Sequence, residues 1–348
     1  MIINFIFFIL IILLVLIIVN ISIKININTN KNNKNEDLTK NALYYDYAST
    51  ANPIFENLIP PVPYHSFSPD FFQQMSSGIL PLDVSAAMQC DGPATSPSLL
   101  ANFVRIVKGS LKTNALATSQ LFFVFQGEGY TKACNRVINW KKGDFMVLPA
   151  HGEAIHYCNR EASFYWVHDA PLLRYLGVTA TEQRFEPTLF EHSKAEAKLN
   201  QIVNDPVSSK ANRVSVLLAH ANFPQTRTIT HTLWAMFGLL PKGKIQYPHR
   251  HESVALDFVI SCQPGCYTMI GTELDSDGMI KDGHREDWKT GASFITPAGY
   301  WHSHHNESSE DAHVLPIQDA GLHTYLRTLD ILYSHPNHDH KSYISQKP

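Results

Sequence analysis

Three blocks of this 348-residue chain occur twice, in the same order, and that duplication limits the fold more than any other feature. "VKGSLKTNALATSQLFFVFQGEGYT" (107–131) aligns with "PKGKIQYPHRHESVALDFVISCQPGCYT" (241–268). "WKKGDFMVLPAHG" (140–152) aligns with "WKTGASFITPAGY" (288–300), and "DAPLLRYL" (169–176) with "DAGLHTYL" (319–326). The offset grows only from 134 to 150 residues, so loop insertions separate the copies and a duplicated domain is expected. The length accommodates two domains of ordinary size.

Within each copy the local character is β. "LFFVFQGEGY" and "ALDFVISCQPGCY" are apolar, aromatic runs ending at glycines, as buried strands do. "GDFMVLPA" and "GASFITPA" each read as a glycine turn, a short strand and a proline stop. Short strands punctuated this way predict a mainly all-β chain of two tandem small barrels or sandwiches. The first barrel is placed at 95–182 and the second at 226–335, with a linker at 183–225. In that linker "FEHSKAEAKLNQIVND" (190–205) has helical spacing and predicts a short linking helix. Residues 44–94, rich in Pro, Tyr and Phe, form an N-terminal arm packed along the barrels, and 336–348 are a histidine-rich tail.

The first 23 residues are a separate matter. Ile2 to Ile23 are apolar except for Asn4, Asn20 and Ser22, about the length that crosses a bilayer as a helix. No basic start or small-residue cleavage point marks a removable signal peptide, so a signal anchor is the favoured reading over a signal peptide or a misplaced start. Lys24, Lys31, Lys34 and Lys40 follow the segment, which places the barrels on the cytosolic side of a membrane; a secreted or luminal location is the alternative. Residues 24–43, biased to Asn, Ile and Lys, are a spacer without a fold. The formal charge of −3 excludes a basic nucleic-acid footprint. Cys90, Cys134, Cys158, Cys262 and Cys266 form no CxxC pair and read as reduced thiols.

"YPHRHESVALDFV" (247–259) carries the chemistry. Residues two apart on a strand point to one face, so His249 and His251 aim both imidazoles the same way, as a chelating pair must. His249 follows Gly243 by six residues, and the later block reads Gly291-x5-Pro297-Ala298-Gly299-x2-His302-x3-Asn306. These spacings resemble the two cupin motifs, G-x5-H-x-H and G-x5-P-x-G-x2-H-x3-N. The resemblance implies jelly-roll β-barrels and makes His249, His251 and His302 three metal ligands. With two copies, "HRHESVALDF", "WHSHHN" and "LPIQDAGLHTYL", residues 95–335 resemble the gentisate/salicylate dioxygenase group of bicupins. That resemblance implies ferrous iron, a small, possibly aromatic substrate and O2, and assembly into a homo-oligomer. It also matches His304 to a histidine that hydrogen-bonds or carries a proton beside the metal; a surface position at the strand end is the other reading.

The first copy departs from the pattern. Its counterparts of His249 and His251 are Lys112 and Asn114, or Ala115 and Ala117, and that of His302 is Ala154; His151 and His156 lie off-position, so this barrel is expected to be metal-free. Asp257 departs too, since the resemblance implies an arginine there that pairs with a substrate carboxylate. On a regular strand Asp257 has the parity of His249 and His251 and faces inward, where a carboxylate needs a partner. A metal, a cationic or hydroxyl-bearing substrate, and a structural Arg or Lys are the three candidates. Trp301 is read as packing or as a wall for the substrate. Manganese, nickel or zinc would suit three imidazoles as iron does, and a non-oxidative isomerase or lyase, or a small-molecule-binding barrel, would use the same site.

Overall fold

The structure, a computed structural model, describes residues 14–18, 38–74, 76–150, 152–207 and 211–335. The expected anchor at 1–23 falls outside them apart from 14–18, which are helical, and His151 and the tail at 336–348 also lie outside. Among the described residues no helix is long and apolar enough to cross a membrane. The chain divides into two units, residues 1–56 and 57–348. In the smaller, a short helix Tyr47–Thr50 is capped by the Asp46 side chain, which accepts from Ala48 N. The larger holds both barrels.

Each barrel contributes a six-stranded antiparallel sheet. In the first, the order is Thr188–Phe190, Phe145–Pro149, Ser119–Gln126, Ala162–His168, Leu100–Ile106, Gly78–Pro81. In the second it is His65–Phe67, Ser293–Thr296, Ala255–Ser261, Ala312–Gln318, Trp234–Leu240, Val214–Leu218. The edges are exchanged: the arm strand His65–Phe67 joins the second barrel, and the linker strand Thr188–Phe190 joins the first. The linking helix is His192–Asn204, with Ala195 and Leu199 buried. All five cysteines are free.

Strand alternation sorts each sheet's side chains into two layers. Ala101, Phe103, Leu121, Phe123, Tyr165, Leu256, Phe258, Leu315 and Ile317 belong to one apolar cluster joining the two sheets. The intervening residues Val104, Phe122, Val124, Phe164 and Trp166 fill the first barrel, and Val259, Phe294 and Val314 line the second. Phe258 lies at the middle of the shared layer, its ring centroid 4.7 Å from Tyr165, 5.2 Å from Phe125 and 5.8 Å from Phe123.

A fourth repeated block, missed in the sequence comparison, ties the halves together. "SPSLLANF" (96–103) corresponds to "THTLWAMF" (230–237): Leu99 N donates to Ser96 Oγ and Leu233 N to Thr230 Oγ1, both at 3.0 Å. In the same copies Asp319 accepts from Val254 N of its own barrel and from Ser98 Oγ of the other. Asp169 likewise accepts from Ser119 N and from Thr232 Oγ1 across the interface.

Phe258→Ala is expected to cost about 3–5 kcal/mol, because a filled position between two sheets cannot collapse. Denaturant unfolding of the variant against the wild type measures it.

Candidate metal centre

Five further strands of the second barrel form a sheet ordered His284–Asp287, Cys266–Gly271, Trp301–Asn306, Ile245–His251, Ile331–Tyr333. His249 pairs with His302 across two neighbouring strands, after a register shift between Gln246 and His249. Gly299, at φ +76°, turns the chain into the second of these strands, and its N–H binds the His251 carbonyl at 2.8 Å. His249, His251 and His302 are all buried, and their donor nitrogens lie within 4.8 Å of one another.

Backbone carbonyls select the tautomer of each ring. Nδ1 of His249 faces Tyr247 O at 3.4 Å, that of His251 faces Ser253 O at 2.8 Å, and that of His302 faces Tyr300 O at 3.1 Å. A carbonyl only accepts, so Nδ1 carries the proton and Nε2 keeps its lone pair. Two donors agree with this: Arg213 Nη2 lies 3.2 Å from His249 Nε2, and Gln318 Nε2 lies 3.4 Å from His251 Nε2. The Gln318 amide is oriented by Ser253 Oγ, which donates to its oxygen at 3.0 Å. Burial pushes all three imidazoles below their usual range, His251 to about 4, with the neighbouring histidines and Arg213 adding to the effect. Three neutral rings with convergent lone pairs are a donor set that fits a divalent transition metal.

His304 is 1% exposed, which removes the surface reading. Trp288 Nε1 donates to Thr268 Oγ1 at 2.8 Å, and that hydroxyl meets His304 Nδ1 at 2.8 Å. Nδ1 is the acceptor found for the buried Thr268 hydroxyl among the described residues, so the arrangement that satisfies its proton has the threonine donate to Nδ1 and gives His304 the opposite tautomer, with N–H at Nε2. That nitrogen is buried without a partner. The ring centroid lies 5.9 Å from that of His302 and 6.4 Å from that of His249. Burial holds this imidazole neutral, so it donates a hydrogen bond rather than storing a charge.

The first barrel repeats this relay and closes it. Trp140 Nε1 donates to Thr131 Oγ1, which meets His156 Nδ1, each at 2.8 Å; His156 Nε2 then lies 2.9 Å from Thr113 Oγ1. His156 is therefore the counterpart of His304, off the three ligand positions as expected. Thr113 pairs with Ala154 as His249 pairs with His302, so Thr113 is the counterpart of His249. Neither ungapped offset finds it, because the Thr113–His249 offset is 136 residues and the register shift before His249 supplies one of the two beyond 134. Phe122 stacks on Trp166 at 5.3 Å inside this barrel, where rings occupy the space.

Asp257 does face the second barrel, but for a different reason than strand parity with His251. The chain turns between His251 and Ala255 and crosses to the other sheet, where Asp257 alternates with Leu256 and Phe258 of the shared layer. It is 1% exposed and is not among the converging donors. Its hydrogen bond comes from Thr296 Oγ1 at 2.9 Å. Burial raises it to about 6, against the pull of Arg213 and Thr296. Arg213, placed in the linker by sequence reasoning, stands at the start of the strand Val214–Leu218. With its amide oxygen turned toward it, Gln246 accepts from Arg213 Nε at 2.6 Å. Trp301 lies under the Arg250 guanidinium at 5.0 Å, and packs there instead of walling the site. Asn306 Nδ2 is spent on Leu240 O and Glu310 O.

Residues 236–318 match the family model described as a cupin domain. The chain is 27% identical over 176 residues to a 1-hydroxy-2-naphthoate 1,2-dioxygenase of Nocardioides sp. (strain KP7), covering 50% of this chain and 41% of that protein. It is 28% identical over 147 residues to gentisate 1,2-dioxygenase 1 of Aquipseudomonas alcaligenes, covering 41% and 39%. These matches span about two fifths of each relative's length. Among solved structures, salicylate 1,2-dioxygenase of Pseudaminobacter salicylatoxidans superposes with a TM-score of 0.62 at 12% identity, covering 82% of this chain and 96% of that one. A variant of it in complex with gentisate gives 0.64 at 11% identity, covering 83% and 91%. The structural likeness establishes a shared fold, and the chain resembles the gentisate and salicylate dioxygenase group of two-cupin proteins.

Two outcomes follow from the electrostatics. Metal affinity should be flat from about pH 8 to about pH 5 and fall below that, where protons begin to compete for Nε2; competition with a chelator across pH reads this. Asp257 has a folded value near 6 against 3.8 unfolded, so its ionisation costs stability as pH rises through that window. Asp257→Asn should therefore raise the unfolding free energy by up to about 3 kcal/mol at neutral pH and above, a gain that disappears below about pH 4.

Proposed function

We propose that the chain is a non-haem, metal-dependent dioxygenase that opens or oxidises a small aromatic substrate with O2 at the second barrel. The observation that carries the proposal is the set of three buried imidazoles, each proton-bearing at Nδ1 and unprotonated at Nε2. The dioxygenase names of the sequence relatives support the same reaction class. Ferrous iron held by His249, His251 and His302 would supply the electrons that couple O2 to the ring, and the protein's own groups do the rest. His304 Nε2–H donates to an oxygen atom of the substrate or of O2, a contact that becomes stronger as negative charge builds on that atom. Arg213 adds a fixed positive charge beside His249 and attracts an anionic oxygen. Asp257 takes a hydrogen bond or a proton from the substrate, and a carboxyl pushed up to about 6 is suited to either state near neutrality. The apolar lining from Val259, Phe294 and Val314 excludes water from the ring face.

Protein purified anaerobically with ferrous iron should hold about one iron per chain, and a His249→Ala/His251→Ala variant should hold none. The wild type should consume O2 with an aromatic substrate, and His304→Ala should lower that rate by about 100-fold while retaining iron. Iron bound equally by the double variant would place the metal elsewhere. Iron bound with no O2 uptake across aromatic diols, aminophenols and hydroxy acids would refute the dioxygenase reading.

A further inference from the structure

Asp257 is a charged group buried inside a barrel that already holds the three-histidine cluster, and little in the protein satisfies it. An ionised carboxylate offers about four acceptor positions. The hydrogen bond it receives among the described residues is the one from Thr296 to Oδ2. Its electrostatic counterweight is Arg213, yet no ion pair joins the two: Arg213 is engaged instead with His249 Nε2, Gln246 and Met236 Sδ. A buried cation and a buried anion that influence each other without an ion pair can both be satisfied by a guest that bridges them. Such a guest is stabilised if it presents an acceptor to one and a donor to the other.

Two further polar groups beside the histidine cluster have the same polarity as Arg213. His304 Nε2–H is unpartnered, and the Gln318 amide nitrogen faces His251; both donate. With the three imidazole lone pairs committed to a metal, Asp257 is thus the acceptor left among these donors. We infer that Asp257 selects a substrate by a hydrogen-bond-donating ring substituent, a hydroxyl or amino group, and excludes a carboxylate from its side of the ring. Arg213 and His304 take the ring's acceptor oxygen, and Val259, Phe294 and Val314 supply apolar contact for the ring itself. The expected class is an aromatic diol or aminophenol. The inference rests on the proposed dioxygenase site and narrows its substrate. It separates this chain from relatives whose names specify carboxylate-bearing rings.

The test is equilibrium binding of four probes to the full chain loaded anaerobically with ferrous iron. Catechol and 2-aminophenol carry donors without a carboxylate, and salicylate and benzoate carry the carboxylate. The wild type should bind the first pair at least about tenfold more tightly than the second, since juxtaposed like charges reject a partner strongly. Asp257→Asn should shrink that ratio to within about threefold, and Asp257→Arg should reverse it, with iron content unchanged in both. Equal or tighter binding of salicylate by the wild type overturns the inference, and that arm needs no variant to fold. A ratio unmoved in an iron-replete Asp257→Asn protein overturns it as well, as does an iron-loaded wild type that binds neither pair. Failure of the wild type to hold iron overturns the metal-site reading itself, and the inference with it.

Discussion

The apolar layer shared by the two six-stranded sheets is what the rest of the structure depends on. Because side chains alternate along a strand, committing Leu256, Phe258, Leu315 and Ile317 to that layer turns Asp257, Val259 and Val314 into the second barrel. The exchanged edge strands and the paired hydrogen bonds of Asp169 and Asp319 fix the two sheets in register. Buried polar side chains in the site are affordable only because this layer supplies apolar burial on both sides of it.

Duplication makes the chemistry readable by contrast. Both barrels keep a tryptophan that donates to a threonine, and a threonine that sets the tautomer of a histidine. In the first barrel that histidine ends on Thr113, and aromatic rings fill the surrounding space. In the second, a bulge brings His249 to the equivalent place, and the histidine N–H is left free beside three imidazole lone pairs. The same frame is sealed once and open once.

Much of this was legible in the sequence, and for physical reasons. Repeated blocks and strands ending at Gly and Pro report local backbone demands, so the β architecture, the helix His192–Asn204 and the His249, His251, His302 spacing could be read directly. What could not be read depended on register. A two-residue mismatch, one residue of it the bulge before His249, hid the Thr113 and His249 correspondence, whereas His156 stands at the same 148-residue offset from His304 as Ala154 from His302. Arg213 reaches the site from a segment that looks like linker, and only the folded sheet brings it to His249. Gln318 stands where the first copy has His168, a polar pair at matched positions that was the one available signal. The inward aim of Asp257 was anticipated, but the turn after His251 that produces it was not.

The most direct measurement is anomalous diffraction at the iron edge from crystals of the iron-loaded protein. One peak is expected, in the second barrel, within about 2.0–2.2 Å of Nε2 of His249, His251 and His302, with none in the first barrel. A peak beside His156, a peak held through Nδ1, or an empty second barrel would contradict the assignment of the metal centre.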